Sequence, residues 1–155
     1  MKTTMTLTLA VFGLSLAAPA LANACPPEAT AAALKAHAGA TVVACKQEVE
    51  DGKTLYEVKI KEKDGRSVEL DVSTTGQILL TEEYVDVKDV PAAVMAAFVA
   101  KYPRAQATAA EKQTSSDGKV VYELAFGSGD AKKSATFEAG GKFLEEEEEG
   151  EEGQD

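Results

Sequence analysis

Gly52-Lys53-Thr54-Leu55-Tyr56-Glu57-Val58-Lys59-Ile60 is echoed 66 positions later by Gly118-Lys119-Val120-Val121-Tyr122-Glu123-Leu124-Ala125-Phe126. The echo continues at an offset of 65, where Gly76-Gln77-Ile78-Leu79 reappears as Gly141-Lys142-Phe143-Leu144. A proline-led, alanine-rich stretch precedes each copy, at Pro27 and at Pro91. Self-similarity at a fixed period marks a repeated supersecondary unit. Within each copy the pattern is that of strands. Tyr56, Val58 and Ile60 alternate with Glu57, Lys59 and Lys61, and Val68, Leu70 and Val72 with Glu69 and Asp71. In the second copy Tyr122, Leu124 and Phe126 occupy the apolar positions, with Ala135 and Phe137 set against Thr136 and Glu138. A period of two predicts sheet with one dry face and one wet face.

Turn chemistry divides the strands. Asp51-Gly52, Asp64-Gly65, Thr75-Gly76, Asp117-Gly118 and Gly140-Gly141 fall between the alternating runs, and short links of this kind make consecutive strands antiparallel neighbours. Each copy opens with a helix. Residues 27–38 are alanine-rich with Leu34 and a thin apolar face, and Gly39 supplies a stop. Residues 91–101 place Val94, Ala97, Phe98 and Lys101 at helical spacing, with Asp89 positioned to cap the start. The expected fold is α+β. Two tandem helix-plus-four-strand repeats, 25–84 and 89–146, form an antiparallel sheet with both helices on one face. Tyr56, Val58, Ile60, Val68, Leu70, Phe98, Tyr122, Leu124, Phe126 and Phe137 are expected to share one core.

The ends of the chain read differently. Residues 1–22 have the form of a signal peptide: Lys2, an apolar run, then Ala20-Leu21-Ala22, with Ala24 as the alternative cleavage point. That makes the protein periplasmic, with a single domain over 23–146. Once the signal is removed, no stretch is long enough to span a bilayer. Cys25 and Cys45, the two cysteines of an exported chain, are expected to form a disulfide. Lipid anchoring at Cys25 is disfavoured, because Ala22 stands where a leucine is usual. A metal site of both thiols and His37 is disfavoured by spacing unlike any zinc motif.

The net charge is −10, and much of it is local. From Glu145 to Asp155 there are eight acids and no base. Residues 147–155 are read as a disordered acidic tail able to hold divalent cations weakly. No basic patch exists to neutralise phosphates, so nucleic acid is excluded as a partner. Catalysis finds no constellation. His37 is the only histidine and sits at a helix end among small residues. Ser115-Ser116-Asp117-Gly118 lacks a base, and Gly127-Ser128-Gly129-Asp130 lies between strands rather than before a helix. No catalytic, cofactor or resident metal site is assigned.

The second copy resembles the PepSY-like, β-lactamase-inhibitor-like family through Val90-Pro91, Val94, Ala97-Phe98, Lys101-Tyr102-Pro103, Gly118, Tyr122-Glu123-Leu124 and Gly141-Lys142-Phe143-Leu144. The first copy matches more loosely, through Pro27, Leu34, Gly52, Tyr56-Glu57-Val58 and Gly76. The resemblance implies an exported, non-enzymatic binding module, an inhibitor or regulator of envelope peptidases or of other envelope proteins. The alternative is a cation-responsive envelope protein acting through its acidic tail. Contact is expected on the wet face: Glu57, Lys59, Lys61, Glu69, Asp71, Glu123, Thr136 and Glu138. Its mixed signs predict polar, salt-sensitive binding.

Overall fold

The computed structural model describes residues 25–50 and 52–148. Residues 1–22, read above as a signal peptide, and residues 149–155 of the segment read as an acidic tail lie outside the described residues. Within them the chain runs α1 (Pro27–Ala36), β1 (Thr41–Glu50), β2 (Lys53–Lys61), β3 (Ser67–Ser73), β4 (Ile78–Val85), then α2 (Ala92–Lys101), β5 (Ala107–Ser115), β6 (Val120–Phe126), β7 (Lys133–Glu138) and β8 (Phe143–Glu148). The eight strands form one antiparallel sheet in sequence order, so β1 and β8 are its edges. Strand β8 continues through Glu147 and Glu148, two residues past the expected start of the tail.

Four hairpins are built the same way. The amides of Gly65, Gly76, Gly118 and Gly141 donate to the carbonyls of Glu62, Ser73, Ser115 and Glu138 at 2.7–3.0 Å. All four glycines have positive φ. A three-residue loop closed by a left-handed glycine matches the twist of the flanking strands, which is why Asp-Gly and Gly-Gly punctuate this sequence. Two of these glycines also make room for helices. A Cβ on Gly141 would stand 2.5 Å from the Ala93 carbonyl oxygen, and one on Gly76 would stand 3.3 Å from that of Glu28. Each helix therefore sets its first turn directly on a hairpin of the sheet.

Direct cross-strand partners share a face, and the covered face can be followed through the sheet past register shifts at Val42/Ala44, Asp71/Val72, Ala107/Ala109 and Thr136/Phe137. Val58 pairs with Leu70, Val68 with Glu83, Glu83 with Lys112, Lys112 with Tyr122 and Tyr122 with Phe137. Helix α1 packs on this face through Ala29 and Ala33, and α2 through Val94 and Phe98. Both helices thus cover the same side, with Tyr56 and Tyr122 beneath them, each half-buried.

The single core expected from the sequence is instead two clusters. One holds Ala29, Ala33, Val58, Ile60, Val68, Leu70 and Val72; the other holds Val94, Phe98, Leu124, Phe126, Ala135 and Phe137. Between them β4 and β5 present Thr81, Glu83, Lys112 and Thr114. Lys112 Nζ meets Glu83 Oε2 at 3.0 Å, and Arg66 approaches Glu83 at 3.7 Å. A polar seam replaces the apolar bridge because neither helix reaches the middle of the sheet. In the second cluster Phe98 stands edge-on to Phe126 at 5.4 Å and to Phe137 at 6.4 Å. Burying each such ring contributes roughly 1.5–3 kcal/mol.

Cys25 and Cys45 are joined, with their Cα atoms 5.4 Å apart, tying the chain just ahead of α1 to the middle of β1. Asp89 does not cap α2. It closes a short 3-10 turn (Val87–Asp89), and Pro91 stands at the cap position with no side-chain hydrogen bond. Among the described residues no helix is long and apolar enough to cross a membrane.

Candidate protein-contact face

Among the described residues the other side of the sheet carries no helix. Alternation within each strand places side chains there, and register then sets them in rows. Lys59 stands beside Glu69, Glu69 beside Glu82, and Glu82 beside Gln113. A neighbouring row runs Tyr84, Glu111, Glu123, Thr136, Glu145. A third joins Lys46, Glu57 and Asp71. Six carboxyls from β2 to β6 therefore each lie within one or two strand spacings of another. Within these rows the basic groups Lys46 and Lys59 stand on β1 and β2, and Lys59 is held by Glu69 at 2.7 Å.

Crowding shows in the protonation of these groups. Burial, then repulsion from Glu111, Asp71 and Glu69, pushes the Glu82 carboxyl up to about 8. Burial, then the charges of Glu50, Glu57, Glu48 and Glu69, pushes Asp71 up to about 6. Glu57 and Glu111 are raised too, chiefly by burial. Hydrogen bonding to Gln113 and to Glu82 works against the rise at Glu111. Gln113 organises the rest: its amide nitrogen donates to Glu111 at 3.3 Å and to Glu123 at 3.1 Å.

Of the residues read from sequence, Glu57, Lys59, Glu69, Asp71 and Glu123 lie in this array. Lys61 is exposed at the end of β2, paired with Thr41 and Ser67. Glu138 stands at the far end of β7, near Lys119 at 3.6 Å and Lys142 at 3.4 Å. Thr136 is on the face but only 8% exposed, so it forms floor rather than a reachable contact. Sequence reasoning missed Glu82, Tyr84, Glu111 and Gln113. The alternation Leu80, Glu82, Tyr84 in β4 was the available signal, weakened by Leu79 and Glu83 on either side.

His37 follows α1 as its cap, and its Nδ1 lies 2.6 Å from Glu62 Oε1, a tie between helix end and hairpin. No group of three or more His, Cys, Asp or Glu that could hold a metal ion occurs among the described residues.

Residues 27–82 match the PepSY family model, described as peptidase propeptide and YPEB domain. The likeness spans α1, β1, β2, β3 and most of β4. The second copy, whose sequence resemblance is the closer, lies outside the match. The fold is also that of a BLIP-like protein from Bacteroides fragilis, at 21% identity and a TM-score of 0.62 over 83% of this chain and 89% of that one. A DUF2874 family protein from Bacteroides uniformis matches at 16% identity and a TM-score of 0.66, covering 79% and 88% of the two chains. A candidate periplasmic protein from Bacteroides eggerthii matches at 15% and 0.67, over 82% and 92%. At these identities the likeness establishes the fold. No curated protein matches the chain.

Proposed function

We propose that this protein is an exported, non-catalytic PepSY-like module that binds a protein partner, an envelope peptidase or another envelope protein, through the helix-free face of its sheet. One observation carries the reading: an eight-stranded sheet spends one face on two helices and leaves the other uncovered. A sheet face presents side chains in rows of fixed spacing, and a partner can read them without the protein rearranging. The Cys25–Cys45 disulfide and the signal-like residues 1–22 support export to an oxidising compartment. The BLIP-like neighbour supports an inhibitory role in kind.

The module is two copies of one unit, 25–84 and 89–146. The support is the sequence echo together with the placement of Gly76 under α1 and Gly141 under α2. A photo-crosslinker placed in turn at Glu57, Lys59 and Glu123, and at Lys35 on the exposed side of α1, tests the contact face in living cells. The reading requires one protein species, identified by mass spectrometry, joined from the sheet positions and not from Lys35. Equal capture from both sides, or a peptidase activity in the purified protein itself, overturns it.

A further inference from the structure

On the uncovered face Tyr84, near the end of β4, is 58% exposed. It borders a cavity of about 330 Å³ that is also lined by Ala109, Glu111, Glu123, Ala125, Phe126 and Lys132. Gln113 holds both carboxylates in place, so their positions are set before any ligand arrives. The socket therefore combines apolar, aromatic and anionic side chains, two carboxylates outnumbering the one lysine, Lys132.

Resting on the protein-binding reading above, we propose that this socket and the carboxyls around it receive a lysine or arginine side chain from the basic surface of a protein partner. The aliphatic stem of such a side chain packs on the two alanines, while the charged head meets Glu111 and Glu123 and the face of Tyr84. Charge decides against the other occupants. A second copy of this chain, net −10, would bring the same carboxyls to face their own kind. Its acidic C-terminal segment and an anionic membrane surface are repelled for the same reason. A bare divalent ion finds no set of three ligands among the described residues.

The array also couples docking to protons. Glu82 faces Glu69 and Asp71 from β3, Glu111 and Gln113 from β5, and Tyr84 on its own strand, with Lys59 one strand further at Glu69. A cation arriving among these groups favours the ionised form of Glu82, so docking releases its proton and strengthens as pH rises from 6 to 8.5.

Titration of the isotope-labelled mature protein with a decalysine peptide, followed by NMR at 50 mM salt, tests the inference. Shift changes should centre on residues 82–84, 109–113 and 121–125. Glu111→Gln with Glu123→Gln should weaken binding about tenfold, and Tyr84→Ala about threefold, the size of an exposed cation–π contact. Replacing Glu82 by Gln should remove the strengthening between pH 6 and 8.5 while raising the melting temperature at pH 8, so a weaker complex there is not an unfolded protein. Shifts confined to Glu145–Glu148 on β8, or an affinity indifferent to Tyr84, reduce the effect to general polyelectrolyte attraction and overturn the proposal. The two readings fail separately. A crosslinked envelope partner retained by the Glu111→Gln, Glu123→Gln protein leaves the binding module standing and removes only its cation socket.

Discussion

Gly141 shows how much one missing side chain can organise. Its φ of +87° lies in the left-handed region, and a Cβ there would press on the Ala93 carbonyl of α2. Gly118 has nearly the same φ, +83°, but nothing within 4 Å of the added atom. The pair separates conformational cost from steric cost. Gly118→Ala should lose about 1 kcal/mol, the left-handed penalty alone, whereas Gly141→Ala should lose about 3 kcal/mol because backbone must also move. Urea denaturation of the two variants measures the difference; equal losses would show that α2 yields without cost. Both glycines were legible in the sequence as turn residues, since glycine recurs where alternation stops. That Gly141 also seats a helix was not legible, because the contact joins segments 48 positions apart. The carboxyl array is a similar case. Alternation put Glu69 and Glu123 on the wet face, but only cross-strand register shows that Glu82 and Glu111 lie between them.

The helices differ in how they are held. Helix α2 buries Val94 and Phe98 in an aromatic cluster, while α1 buries only Ala29 and Ala33, which together remove little apolar surface from water. The disulfide sits beside the weaker helix. It closes a separation of 20 residues and fixes the chain just before α1 to β1. Loop-closure entropy assigns it about 3 kcal/mol. Cys25→Ser with Cys45→Ser should therefore lower stability by about that amount, and hydrogen exchange should speed first in α1. Phe98→Ala should cost about 4 kcal/mol and open the opposite end of the sheet instead. If reduction loosens α2 as early as α1, the disulfide acts on the whole chain rather than on its neighbouring helix. The sequence announced both helices through proline starts and alanine content, and their ends shifted by one or two residues. It did not announce the capping arrangement, because the Val87–Asp89 turn uses Asp89 before the helix begins.

Across the whole molecule, stability and surface chemistry pull against each other. The sheet continues through a polar seam on its covered face and a carboxyl array on its open face, so the middle strands β4 and β5 carry charge on both sides. Period-two patterning foretold β2, β3, β6 and β7 well and these two poorly, since residues such as Glu82-Glu83 and Glu111-Lys112 give a charged neighbour on either face. The array has a measurable cost. Glu82 ordinarily titrates near 4.5 and in the fold near 8, so between those values the folded chain keeps a proton that the unfolded chain has released. Stability that depends on that proton is present below pH 4.5 and is lost as pH rises through 8. Asp71 adds the same sign over a lower window, from 3.8 to about 6. The melting temperature should accordingly fall between pH 5 and pH 8.5, and less steeply in high salt, where the charges repelling Glu82 are screened. Glu82→Gln should flatten the upper part of the profile, gaining on the order of 1 kcal/mol at pH 8 after allowance for its solvent exposure. Asp71→Asn should flatten the lower part. Calorimetric scans at half-unit pH steps decide it: a melting temperature that rises from pH 5 to 8 would mean that the carboxyls are already relieved by their surroundings. A fall, removed by Glu82→Gln, would mean that the fold stores electrostatic strain on its open face, available to any cation that docks there.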